Sequence, residues 1–340
     1  MLDQAGDREF IALRNAFCTA IAGIVLASGA SFADEAPPPN PAPAMMRLIG
    51  QYGPDTGLLE IYESGGHLYA DGDGFHQAEL APHGRDRFQA GGKTLVFGKG
   101  ADASSVSLDG NALPRRDIGA DVIKQIRAGE HGDPATLRAE ALKATPPAEP
   151  PPKRSMDLVP LSSIDPTIKF DIRYATSNNF MGFPLYEKPG AYLQRPAAEA
   201  LGRVAKALKA QGYGLLVHDG YRPWFVTKMF WDATPAADHM FVGDPAHGSR
   251  HNRGEAIDLT LYDLKTGKPV PMTGRYDEMS KRSYSDYIGG TSRQRYDRGV
   301  LRAAMEKEGF QVLNEEWWHF DYKDWADYPI GNVSFGQLER

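Results

Sequence analysis

Gly248-Ser249-Arg250-His251-Asn252-Arg253-Gly254-Glu255-Ala256-Ile257-Asp258-Leu259-Thr260 sets a histidine and an aspartate seven residues apart, with a glycine turn between them. Ala256 to Leu261 reads as a strand, so the imidazole falls at the rim and the carboxylate on the strand, where both can face one ion. Further on, Glu315-Glu316-Trp317-Trp318-His319-Phe320 offers a second histidine with a carboxylate three residues before it. In His218-Asp219-Gly220-Tyr221-Arg222-Pro223 an arginine follows a strand end and precedes a helix. Zinc explains the first two stretches together. A catalytic zinc uses three protein ligands and keeps one position open, and His251, Asp258 and His319 form a legitimate set. The water it activates must lose a proton, and Glu316 is the candidate base, later the acid toward the leaving amine. Residues three apart on a regular strand point to opposite faces, so Glu316 and His319 share a site only if the chain bends there.

Working outward from these stretches, the chain after Arg154 reads α+β. Pro196 to Gln211 has Leu201, Val204 and Leu208 at helical spacing with Gly212 as the stop, followed by a strand at Gly214 to Val217. Asp297 to Glu308 is a second helix, and Phe310 to Leu313 a second strand. Before it, Thr145 to Lys153 (TPPAEPPPK) is a proline-rich linker, and Asp133-Pro134 opens a short helix with a capping residue and a proline at its first position. From Arg47 to about Asp117 the texture is β: short alternating runs are separated by Gly65-Gly66, Gly91-Gly92 and Asp109-Gly110-Asn111. His67, His76 and His83 are isolated there and read as solvated. Ala36 to Ala44 is a proline-rich tether, and Ala16 to Ala27 is an apolar run of export-signal length with Ser31-Phe32-Ala33 as its cleavage pattern.

The expected organisation is therefore a signal peptide at 1–33, a tether at 34–46, a small β domain at 47–127, a helical and proline-rich linker at 128–153, and a catalytic domain at 154–340. The proline tether predicts that the last of these folds and acts from about Arg154 on its own. A net charge of −6, from 44 acidic and 38 basic residues, argues against nucleic acid as a partner and against a basic membrane-surface protein. Cys18 is the only cysteine, which excludes a disulfide framework and a cysteine-based metal site. No stable membrane insertion is expected after signal cleavage, and the location is expected to be periplasmic or secreted.

Each residue also has an ordinary structural reading. A histidine beside tryptophans is often a packed core residue, Asp258 can hydrogen-bond locally, and Arg222 can be an ion-pair partner. The coincidence of all of them favours chemistry. His218, His239 and His247 lie outside the pattern and read as non-ligands.

The joint pattern resembles the zinc D-alanyl-D-alanine dipeptidases, and shares its core with D,D-carboxypeptidases and peptidoglycan endopeptidases. Ser249-x-His251 with Asp258 and Glu316-Trp317-Trp318-His319 carries that core. Tyr174-Ala175-Thr176-x-x-Asn179-Phe180-x-Gly182, Asp219-Gly220-Tyr221-Arg222-Pro223, Ala256 to Tyr262, and Val270-Pro271-Met272 leading to Asp277 are similar to the dipeptidase branch. The resemblance spans about Asp157 to Asp327. It implies an α+β zinc peptidase domain with a central antiparallel sheet and flanking helices, one Zn²⁺ per chain on His251, Asp258 and His319, and catalytic Glu316. Arg222 would stabilise the oxyanion, while Ser249, Tyr174 and Asp277 contact substrate. The implied substrates are small D,D-dipeptides, with peptidoglycan fragments as longer ones. Residues 47–117 resemble, through Gly50-Gln51-Tyr52, Leu68-Tyr69 and Phe88, the barrel-like β modules appended to secreted serine hydrolases of the β-lactamase type. A D,D-carboxypeptidase or endopeptidase needs a groove where a dipeptidase needs a closed pocket, and Phe180–Tyr192 and Asp263–Tyr287 are the segments placed to cap it. A cell-wall-binding module with a silenced site is the reading outside enzymes; the presence of Glu316 argues against it.

Overall fold

Alternating apolar residues in the first half of the chain build two antiparallel sheets around Tyr52, Leu59, Ile61, Leu95 and Val106. The computed structural model describes residues 36–130 and 132–338; the expected signal peptide lies outside them. One sheet runs in the order β1 (Gly50–Tyr52), β2 (Leu59–Ser64), β3 (His67–Gly72), β4 (Phe75–Glu79). The other runs β5 (Ala81–Pro82), β6 (Arg87–Ala90), β7 (Lys93–Phe97), β8 (Ser105–Leu108), β9 (Asn111–Pro114). Gly65 and Gly66, with φ of 58° and 86°, make the two-residue turn between β2 and β3, where a side chain would be strained. A bridge from Tyr52 to Arg115 joins the sheets at one edge, but the strands do not close. The barrel expectation is corrected accordingly: this is a pair of sheets.

Two helices follow, α1 (Ala120–Ala128) and α2 (Pro134–Lys143). Asp133 caps α2 by accepting from the amides of Ala135 and Thr136. Leu137 and Ala141, four apart, are buried in the core of the second half, so α2 packs as part of it rather than hanging as a connector.

That second half pairs β10 (Leu158–Pro160) with β12 (Tyr192–Gln194) and builds a five-stranded sheet. Its order is β11 (Lys169–Phe170), β13 (Tyr213–Asp219), β14 (Ala256–Asp263), β16 (Glu316–Tyr322), β15 (Phe310–Leu313). The sheet is antiparallel, as expected, except at one edge, where β11 runs parallel to β13. Helix α3 (Arg195–Lys209) buries Leu201, Val204 and Leu208; α4 (Trp224–Ala233) follows the Arg222 turn; α5 (Ser292–Lys307) buries Val300, Leu301 and Met305. On β14, Ile257, Leu259 and Leu261 enter the core while Asp258 and Thr260 point the other way, into two cavities. Among the described residues no helix is long and apolar enough to cross a membrane.

Candidate active site

Strand register delivers the site. Asp258 on β14 pairs with His319 on β16 on one side and with Asp219 at the end of β13 on the other. His251 sits on a one-turn 3₁₀ helix, Arg250–Arg253, whose cap is Ser249: its hydroxyl accepts from the His251 amide at 3.3 Å, while the Ser249 amide donates to Asn252 at 2.7 Å. Gly254 ends that turn at φ 69°, and a Cβ there would meet Leu158 at 2.4 Å, so glycine alone fits between the histidine and the strand.

The three ligand candidates converge. Nε2 of His251 is 3.3 Å from Oδ1 of Asp258, Nδ1 of His319 is 3.1 Å from the same oxygen, and the two nitrogens are 3.1 Å apart. Ligand atoms on a tetrahedral ion with bonds of about 2.0–2.1 Å sit about 3.3 Å apart, so the set has the right span. Nδ1 of His251 lies 2.7 Å from the Gly220 carbonyl, which can only accept, leaving Nε2 with its lone pair. Nε2 of His319 lies 2.9 Å from Oδ1 of Asp321, which likewise turns the Nδ1 lone pair inward. Oδ1 of Asp258 is buried and has no hydrogen-bond partner. These donors fit a zinc ion.

The electrostatics agree. Burial raises the Asp258 carboxyl, but the imidazoles of His251 and His319 outweigh it and hold it well below the usual range. Burial lowers His319, yet Asp321 and Asp258 carry it well above its ordinary value. Both directions mean that positive charge is favoured where the three atoms meet.

Glu316 stands beside them, Oε2 3.5 Å from Nδ1 of His319. The register slips between Val312, opposite Phe320, and Leu313, opposite Glu316, and this bend brings two residues three apart onto one site. Burial raises the Glu316 carboxyl to about 7 against the pull of His319. Arg222 donates from Nε to Asp219 at 2.9 Å and sets its Nη2 3.6 Å from Oδ2 of Asp258, with its guanidinium over the rings of Tyr174 and Phe230. Burial raises Asp219, and Arg222 opposes it. The Tyr174 hydroxyl donates to Asp277 at 3.0 Å, and burial next to Asp258 and Glu316 pushes the Asp277 carboxyl well up.

A cavity of about 310 Å³ contains all eight residues singled out in the sequence: His251, Asp258, His319, Glu316, Arg222, Ser249, Tyr174 and Asp277. Phe180 and Asp277 to Met279 line it from the two anticipated capping segments, and Met240 to Gly243 add a wall that the sequence reading missed. Of the other histidines, His218 stacks on Tyr276, His239 stacks on Trp231, and His247 is exposed; none joins the cluster.

Three supporting residues, Asp321, Tyr276 and Tyr186, were also missed, and Asp219 was quoted only as part of a motif. Asp321 holds His319, Tyr276 donates to Oδ2 of Asp258 at 3.0 Å, and Asp219 anchors Arg222 while accepting from Tyr186 at 2.7 Å. Asp321 is two residues beyond His319 on one strand face, so the period of 2 and the need of a ligating imidazole for an acceptor were the available signal.

A family model described as D-ala-D-ala dipeptidase, peptidase M15, matches residues 154–335. The D-alanyl-D-alanine dipeptidase of Escherichia coli (strain K12) is 34% identical over 174 residues, 51% of this chain and 89% of that protein. That of Enterococcus faecium is 37% identical over 186 residues, 49% and 92% of the two chains. That of Streptomyces coelicolor is 33% identical over 187 residues, 48% and 93%.

Proposed function

Since the chain belongs to the peptidase M15 family of D-Ala-D-Ala dipeptidases and is a peptidase, we propose that it is a zinc-dependent D,D-dipeptidase that hydrolyses D-alanyl-D-alanine in peptidoglycan metabolism. The observation that supports this most is the convergence of three lone-pair-bearing atoms, on His251, Asp258 and His319, beside Glu316 in a pocket of about 310 Å³. That volume lies at the small-molecule end of ligand sites. Supported by the apolar run at Ala16 to Ala27, we place its action in the periplasm or outside the cell.

His251, Asp258 and His319 would hold the ion. When bound, zinc supplies Lewis acidity that polarises a peptide carbonyl and lowers the pKa of water. Glu316 takes the proton of the attacking water on Oε2 and returns it to the leaving amine; a carboxyl pushed to about 7 is suited to both steps near neutrality. Arg222, held in place by Asp219, presents a fixed cation to the oxyanion that forms at the scissile carbonyl. Ser249 offers a hydroxyl to the terminal carboxylate of the dipeptide, and Asp277 with Tyr174 faces its amino end. Phe180 and Met240 to Gly243 wall the pocket.

The test is a panel of D-Ala-D-Ala, L-Ala-L-Ala and a muropeptide ending in D-Ala-D-Ala, each with stripped and zinc-loaded protein. Hydrolysis of the D,D-dipeptide that depends on zinc, with L-Ala-L-Ala untouched, is expected. Cleavage of the muropeptide alone would reassign the chain to the carboxypeptidases or endopeptidases.

A further inference from the structure

Asp277 sits in the left-handed region, at φ 57°, and among the described residues it is the one non-glycine of 154–335 that does. Such backbone persists only where its surroundings hold it. The next residue supplies the hold. The buried Glu278 carboxylate accepts from the Arg275 amide at 3.1 Å and from the Ser280 hydroxyl at 2.8 Å. It also pairs with Nε of Arg282 at 3.0 Å and with Nε of Arg275 at 3.4 Å. Chain on both sides of Asp277 is thereby tied to one side chain. From the pocket side, the Tyr174 hydroxyl lies 3.0 and 3.1 Å from the two Asp277 oxygens, so the carboxylate is fixed as the backbone is.

The turn is also gripped from outside the family-matched residues 154–335. Arg275 donates from Nη2 to the Ile118 carbonyl at 3.0 Å and stands 3.7 Å from Oδ1 of Asp117. Gly119, at the start of α1, lies so close that a Cβ there would meet Cγ of Glu278 at 3.3 Å and the Met279 amide nitrogen at 3.5 Å. Residues 117–119 leave the β sheets directly, since the Arg116 amide still donates to the Gln51 carbonyl of β1 at 2.9 Å. Further along the same loop, Tyr287 hydrogen-bonds buried Glu60 on β2, which Gln51 also holds at 2.7 Å. None of these residues belongs to the metal cluster.

We propose that Glu278 and Arg275 are positioning residues that aim Asp277 at the ammonium of the substrate, and that residues 117–119 make this aim depend on the β sheets. The proposal rests on the dipeptidase reading for the ammonium that Asp277 faces. Recognition of the amino end is then built jointly by the family-matched residues and by the part of the chain that precedes them, whereas the metal ligands and Glu316 are built by the former alone.

Glu278 is too buried for a clean variant, so the hold is cut at Arg275, which is exposed, and disturbed from the other side at Gly119. Calorimetric titration of full-length, zinc-loaded Glu316→Gln protein reads binding without turnover. The ligands are D-Ala-D-Ala and propionyl-D-alanine, which lacks only the amino group. Arg275→Ala and Gly119→Ala, each added singly, should weaken D-Ala-D-Ala about three- to tenfold, the scale of one net hydrogen bond, and leave propionyl-D-alanine within about twofold. Arg275→Lys keeps a cation beside Glu278 and should recover part of the loss. With Glu316 restored, Arg275→Ala should raise KM on D-Ala-D-Ala by the same factor and preserve kcat. Equal weakening of both ligands, or of neither, overturns the proposal. An effect of Arg275→Ala with none from Gly119→Ala overturns the dependence on the β sheets. Selective binding of D-Ala-D-Ala by a protein that, with Glu316 restored, does not cleave it would overturn the dipeptidase reading and leave the positioning of Asp277 standing.

Discussion

Oδ1 of Asp321 accepts from Nε2 of His319 at 2.9 Å, and this single bond decides which nitrogen of His319 faces His251 and Asp258. Because the two residues are two apart on β16, the strand that delivers the ligand also delivers the group that orients it. Asp321→Asn should lower zinc affinity about 10–100-fold while leaving the fold intact. Competition against a chelator of known affinity checks this; unchanged affinity would mean that the ring is oriented by something else.

Arg222 is placed by a fork that lysine cannot reproduce, with Nε on Asp219 and Nη2 toward Asp258. Arg222→Lys should keep its zinc and lose about 10²–10³-fold in kcat, the cost of one oxyanion donor. A loss confined to KM, with kcat preserved, would assign Arg222 to ground-state binding instead.

Much of this site was legible from the sequence because its logic is local. The glycine turn and the alternation through Ala256 to Leu261 announced His251 and Asp258 on adjoining elements. The Glu316 to His319 spacing was legible as chemistry but not as geometry, since the register slip at Val312 and Leu313 arises from pairing with β15. Lys169–Phe170 is two residues long, too short to carry a period, so its parallel pairing left no mark. Leu137 and Ala141 have helical spacing, but the prolines after them disguised α2 as part of a linker. Whether two sheets close into a barrel depends on edges meeting in space, and no single strand encodes that.

Glu255 supplies a test in pH. Both its carboxyl oxygens and Oδ1 of Asp324 are buried without hydrogen-bond partners. Burial next to Asp324 raises Glu255 to about 9, with Asp327 adding to the push and Arg154 opposing it. The native state therefore holds a proton that the unfolded chain releases near its ordinary value of 4.5. Stability from this group is present at low pH and is lost as pH rises toward 9, with a limiting slope of about 1.4 kcal/mol per pH unit. Glu255→Gln should flatten that slope. Tm of both proteins at pH 6 and pH 9 decides: the variant should gain on wild type as pH rises, and a constant difference would contradict the account.

The β sheets are more than tethered to the peptidase half. Glu63 accepts from the Ser292 amide at 2.7 Å at the start of α5, Arg295 donates to the Glu63 carbonyl at 2.7 Å, and Arg275 donates to the Ile118 carbonyl at 3.0 Å. A chain beginning at Asp133 should still load zinc and cleave D-Ala-D-Ala, with a lower Tm. One beginning at Arg154 also loses the buried Leu137 and Ala141, a packing loss of about 2–5 kcal/mol. A fragment from Asp133 that is soluble and zinc-loaded yet inactive would put the β sheets into the catalytic machinery.

The most direct measurement is kcat on D-Ala-D-Ala for Glu316→Gln and Glu315→Gln at matched zinc content. Glu316 lines the metal pocket next to His319, whereas its neighbour Glu315 does not line it. Loss of a general base costs about 10²–10⁴-fold in rate, so Glu316→Gln should retain zinc and turn over at least about a hundredfold more slowly, with Glu315→Gln close to wild type. The reverse ranking, or two variants equally active, would contradict the assignment of Glu316 as the base and with it the mechanism proposed for this peptidase.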